Sequence, residues 1–215
     1  MTDMATRIPW EYVLFAVRVV VFGCAVFWYA RRHTYSSTLL LRRISWVMGV
    51  SYVLYAFVLS TVQYIVWARS PLGEPFITLP LDKKIPTLLW FCKEIPGGYF
   101  IHYSVGRFFL PVILAVVVAL AWGAFLRALK KYKGRFFDTG DIELAIVGAL
   151  VVGWPGVLVY IVLSLIGTVC IGLFRAFFQK EHYTTIGLPV VMAAAITLLF
   201  SGLFISLFNI GVLVV

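Results

Sequence analysis

Residues 142–174 read IELAIVGALVVGWPGVLVYIVLSLIGTVCIGLF, an apolar run of 33 residues interrupted by Gly153-Trp154-Pro155-Gly156. A helix crossing roughly 30 Å of hydrocarbon needs about 20 apolar residues. The run is too long for one upright helix and too short for two full ones. Proline removes a backbone donor and glycine relaxes the steric limits on turning, so the Gly-Trp-Pro-Gly break predicts two short helices.

The rest of the chain has the same character. It is 62% hydrophobic and 13% charged over 215 residues, with a mean hydropathy of +1.00. Soluble domains lie nearer ~45–50% apolar and ~25% charged, so the expected class is all-α: a polytopic integral membrane helical bundle forming a single domain over residues 1–215. Residues 12–30, 45–67 and 107–128 are each long enough to span, and 186–213 supply a last span. With the two short helices the expectation is about six membrane segments. Residues 68–106 carry five prolines and several charges and read as a long non-cytoplasmic or re-entrant segment.

The formal charge of +9 does not point to nucleic acid, because no basic-aromatic groove or basic helical stripe accompanies it. The basic residues fall mainly in short connections, where they orient helices and meet lipid headgroups. Arg31, Arg32, Arg42 and Arg43 mark the 31–43 connection. Arg127, Lys130, Lys131, Lys133 and Arg135 mark the one that leads to residue 141. Both are expected to be cytoplasmic, with the N-terminus and 68–106 outside.

Three of the nine acidic residues, Asp138, Asp141 and Glu143, crowd the edge of the apolar run. One reading is helix capping: Asp138 or Thr139 caps the next helix, and Asp141 and Glu143 sit in its first turn, where negative charge suits the macrodipole. The other is that Asp141 points inward as half of an aspartyl pair. Two carboxyls at close range share a proton, one serving as base and the other as acid.

The stretch from Gly140 resembles the second half of type IV prepilin peptidases, the GxGD aspartic membrane peptidases. Gly140 and Asp141 fall on the Gly-Asp of that motif, Leu144 on the leucine of the following Lys-Leu, and Gly148 on the next glycine. YTTIGLPVVMAAAITLLF then resembles the segment that opens the family's last helix, with Gly187 and Pro189 retained. The resemblance covers 107–203, and 107–215 forms the prepilin-peptidase-like half. Asp138 replaces the first glycine of the motif, and Glu143 replaces the lysine. The resemblance implies an aspartic endopeptidase of a prokaryotic cytoplasmic membrane, cutting a pilin-like precursor at the cytoplasmic face without a cofactor. Asp141 would be one catalytic carboxylate. Asp82, in LPLDKKIP, is the one acceptable candidate for the other, although charge-based orientation puts it outside. The alternative is a catalytically inactive structural subunit of a larger membrane complex.

Arg18 lies within an apolar span and should pair with a carboxylate, a lipid headgroup or another membrane subunit; it is the expected partner contact. Ala119 and Gly123, four apart, could let another helix approach closely. His33, His102 and His182 are isolated, and no CxxC pair occurs, so no metal site is expected. Cys92, His102 and Arg107 share the outer segment without a defensible nucleophile spacing. Trp10, Trp28, Tyr29, Trp67 and Trp154 read as an interfacial aromatic belt.

Overall fold

The computed structural model describes residues 10–31, 36–82, 90–132, 137–138, 140–179 and 186–207, and they are all-helical, with no strand among them. The helices are α1 (Trp10–Ala30), α2 (Ser36–Ala68), α3 (Glu74–Thr78), α4 (Gly98–Ser104), α5 (Leu110–Tyr132), α6 (Asp141–Val152), α7 (Gly156–Phe174), α8 (Gly187–Leu199) and α9 (Ser201–Leu207). A π-helical turn over Val105–Phe109 joins α4 to α5, so 98–132 is one continuous apolar rod. Among the described residues four helices are long and apolar enough to cross a membrane: α1, α2, the α4–α5 rod and α7.

The organising element is α6. Its 12 residues are almost all apolar and all but one are buried. A helix that is hydrophobic all round belongs in an interior, and α6 packs against α1, α2, α5, α7 and α8. At 1.5 Å per residue it is about 18 Å long, too short to cross a bilayer alone. Gly153 (φ +71°) ends it, the cis Trp154–Pro155 peptide follows, and Gly156 starts α7 back along it. The chain turns at the expected Gly153–Gly156 break, but only α6 is short: α7 runs on to Phe174 and is long enough to span, while the last span expected over 186–213 is in its described part the 13-residue α8 followed by α9.

Two tyrosines on neighbouring helices reach the backbone of α6. The Tyr52 hydroxyl of α2 donates to the Leu150 carbonyl at 2.6 Å, and the Tyr160 hydroxyl of α7 donates to the Ala145 carbonyl at 2.9 Å. Gly148 leaves room for Tyr160: a Cβ there would lie 2.9 Å from its hydroxyl. Ala119 and Gly123 receive α6 of the same chain, with Ile146 seated on Gly123. The outward faces are apolar as well: Leu54 is 60% exposed, Val117 55% and Ile166 53%. In water such continuous surface would aggregate; against lipid it is at rest.

Two boundaries differ from expectation. Arg42 and Arg43 belong to α2 rather than to a loop, because Leu41 continues the buried face of that helix while both arginines point out. The 127–135 connection is likewise helical as far as Tyr132. Within 68–106, Trp67 gathers Phe76, Tyr99, Phe100 and Tyr103 around it, clamping α3 and α4 to the C-terminal end of α2. Arg32, His33, Lys133, Arg135, Thr139, Glu181 and His182 lie outside the described residues.

Candidate functional site: the buried carboxylate at the start of α6

Gly140 turns the chain into α6 with φ +90°, a conformation that a side chain would strain, and Leu41 and Thr38 of α2 pack against it. Asp141 is the first helical residue and is fully buried. An ionised carboxylate in an apolar interior is expensive unless its oxygens are hydrogen-bonded. Here Tyr29, at the end of α1, donates its hydroxyl to Oδ1 at 2.5 Å. The Asp138 backbone N–H donates to Oδ2 at 2.8 Å. The N-terminus of α6 adds partial positive charge from the first-turn amides. Gly187, the first residue of α8, closes the site so tightly that a Cβ there would lie 2.7 Å from Oδ1 and collide with the Tyr29 hydroxyl.

The structure thus brings Gly140, Asp141 and Gly187 into one place. Leu144, fully buried, donates its N–H to the Gly140 carbonyl as the first bond of α6. Pro189 is buried in α8 and faces Gly167 of α7. Of the two capping readings, the cap position is Gly140, with no side-chain bond, while Asp141 and the half-buried Glu143 occupy the first turn.

Asp82 is not brought to Asp141. Gly140 rests on Leu41 near the start of α2, whereas the turn carrying Asp82 is held at the other end, through Leu81 N–H to the Cys92 carbonyl and Tyr99 N–H to the Leu79 carbonyl. From Leu41 to Trp67 the rise of α2 amounts to about 39 Å. Glu74 and Glu94 lie at that same far end, on α3 and just after the 3-10 turn Trp90–Lys93. Among the described acids only Asp138 and Glu143 are near Asp141, both as neighbours in sequence. No group of three or more His, Cys, Asp or Glu residues capable of holding a metal ion occurs among the described residues.

Tyr29 is the residue that sequence reasoning passed over. A tyrosine ending an apolar helix is the signature of an interfacial belt, and its partner lies 112 positions away. Arg18 sits at the opposite end of α6, its guanidinium 5.3 Å from the Tyr52 ring centroid and close to Gly153. Positive charge there complements the carbonyl end of the α6 macrodipole.

Cys92 is fully buried, and burial pushes its thiol up from the usual cysteine range. Thiolate is the nucleophile, so raising the pKa removes reactivity at neutral pH. Cys92 should therefore react with iodoacetamide far more slowly in the folded protein than in the denatured chain, with its onset displaced to higher pH. Mass-spectrometric quantification of modified Cys92 against pH checks this; equal labelling of folded and denatured protein at neutral pH would contradict it.

Comparison of the chain with protein-family models, curated proteins and solved structures finds no match.

Proposed function

We propose that the chain is a prepilin-peptidase-like membrane bundle that works without peptidase chemistry, as a structural subunit of a larger membrane assembly. The observation that carries this reading is the environment of Asp141. Its two oxygens receive Tyr29 and Asp138, and Asp82 stands a helix length away. An aspartic peptidase needs two carboxyls close enough to share a proton or a water, roughly 3–6 Å apart. A carboxylate that ties α1, the 138–141 turn and the start of α8 together has a structural task without one.

In this reading there are six membrane segments, with α6 and α8 short. Arg31, Arg42, Arg43, Lys130 and Lys131 all lie at the Asp141 end, which is cytoplasmic by the distribution of basic charge. At that end α7 continues past its contact with α8 at Gly167 into a π-helical turn over Arg175–Gln179, with Phe174, Phe177 and Phe178 largely exposed. This aromatic overhang is the natural place for a partner helix to rest.

A peptidase remains the second reading, favoured by the convergence of Gly140, Asp141 and Gly187. Incubating the purified chain with a pilin-like precursor separates the two. The structural reading expects no cleavage by the native chain and copurification of partner subunits in fixed ratio. Cleavage that disappears in Asp141→Asn would overturn it.

A further inference from the structure

A cavity of about 160 Å³ lies between α1, α2, α5 and the Gly153-Trp154 turn, open on one side. Its walls carry two arginines, Arg18 and Arg107, with the Tyr52 and Tyr55 rings beside them and apolar side chains such as Leu59 and Pro111 around them. Among the described residues no carboxylate lines it. The Arg18 Nε is buried and has no hydrogen-bond partner. The Tyr52 hydroxyl is already donated to Leu150 of α6. The Arg18 Nε forgoes its hydrogen bond unless an acceptor enters the cavity, and the second guanidinium in the same wall, that of Arg107, makes an anion the acceptor that suits the space.

Depth narrows the choice of anion. Arg18 lies 13 residues along α1 from Arg31, which is about 20 Å from the basic end of the bundle, and Arg107 lies 20 residues from Arg127, about 30 Å away. The hydrocarbon core is itself about 30 Å thick. Arg107 therefore sits near the far membrane surface and Arg18 about 10 Å deeper, with the cavity running between them.

We propose that this cavity binds the phosphate headgroup of an anionic lipid drawn from the leaflet opposite the basic end. This rests on the membrane orientation given above but not on whether Asp141 cleaves anything. Arg18 and Arg107 hold the phosphate oxygens by charge-assisted hydrogen bonds, the planar guanidinium being suited to that geometry. The volume admits a headgroup phosphate but not acyl chains, which leave through the open side along the apolar outer faces. The lipid thereby neutralises the charge that Arg18 brings into the membrane, and it braces the turn at the end of α6.

The test uses the full chain in neutral detergent and reads thermal unfolding during titration with phosphatidylglycerol, phosphatidylcholine or inorganic phosphate. Phosphatidylglycerol is expected to raise the melting temperature at concentrations where phosphatidylcholine does not. Arg107→Gln is expected to weaken that effect about tenfold or more, the loss of one charge-assisted contact. Arg18→Gln should act likewise. Should that variant fail to fold, Arg107→Gln decides alone, because Arg107 is exposed and its replacement leaves the packed core in place. Stabilisation by inorganic phosphate that depends equally on Arg107 would support the oxyanion site and assign it to a soluble anion. Equal stabilisation by both lipids, or a phosphatidylglycerol effect unchanged in Arg107→Gln, would overturn the proposal. Loss of the membrane orientation itself would show separately, as labelling of the Arg31 end from the outer face.

Discussion

Gly187→Ala should destabilise the bundle by about 3 kcal/mol, the upper part of the range for inserting a methyl group into a filled interior. The added carbon would collide with the Tyr29 hydroxyl and approach Asp141 Oδ1 to 2.7 Å. Neither neighbour can retreat, because each is held by the other through the Tyr29–Asp141 hydrogen bond. Relief requires moving the start of α8, which would open the buried carboxylate to solvent or leave it unpaired. Gly49→Ala makes the control. Gly49 lies inside α2, where a Cβ would meet nothing within 4 Å, so the same methyl group should be neutral or stabilising by up to about 1 kcal/mol through helix propensity. Thermal melts of the two variants in one detergent compare them directly. Equal effects would mean that the closure of α8 on Asp141 is absent.

The second large effect concerns Asp141 itself. Asp141→Ala leaves the Tyr29 hydroxyl and the Asp138 N–H without an acceptor in a buried site, and each such orphan costs about 1–3 kcal/mol, so the total should be roughly 2–6 kcal/mol. Tyr29→Phe removes one donor from a buried carboxylate and should cost about 1.5–3 kcal/mol. Because the two residues share one bond, the double variant Tyr29→Phe/Asp141→Ala should be less damaged than the sum of the singles, with a coupling within about 0.5–3 kcal/mol. Additive losses, measured by denaturant titration of all four proteins, would show that the hydrogen bond contributes nothing to stability.

Much of the architecture could be read from residue order. The Gly153-Trp154-Pro155-Gly156 break announces itself because proline and glycine change what the backbone can do locally, whatever surrounds them. The apolar runs announce helices for the same kind of reason, since length and composition alone decide whether a segment suits hydrocarbon. The start of α2 was less legible. Arg42 and Arg43 look like loop residues, yet they lie on the outer face of a helix whose inner face carries Leu41 against Gly140. Charge reports which side of the membrane a segment favours and says little about where its helix begins.

The candidate site was legible only in part. Asp141 and Gly187 were both singled out by resemblance, and the fold brings them side by side, but a resemblance gives positions and not partners. Tyr29 was hidden because a hydrogen bond across 112 positions leaves no local trace. Asp82 was attractive for the Ile-Pro beside it, and the clamp of Trp67 on Phe76, Tyr99 and Tyr103 is what fixes its segment at the far end of α2. Arg18 looked like a group seeking a carboxylate, a lipid headgroup or another subunit. Its neighbours Tyr52 and Gly153 belong to elements that meet it only after the bundle has closed.

The separation of Asp82 from the Asp141 end is the most direct test of a bundle built around a single carboxylate. Spin labels at Asp82 and Arg43, in a chain whose three cysteines are replaced by alanine and reconstituted in nanodiscs, report it by electron–electron dipolar spectroscopy. The rise of α2 between the two levels predicts a distance centred at about 36 Å. A main population below about 20 Å would bring Asp82 to the basic end, within reach of Asp141, and would contradict the account.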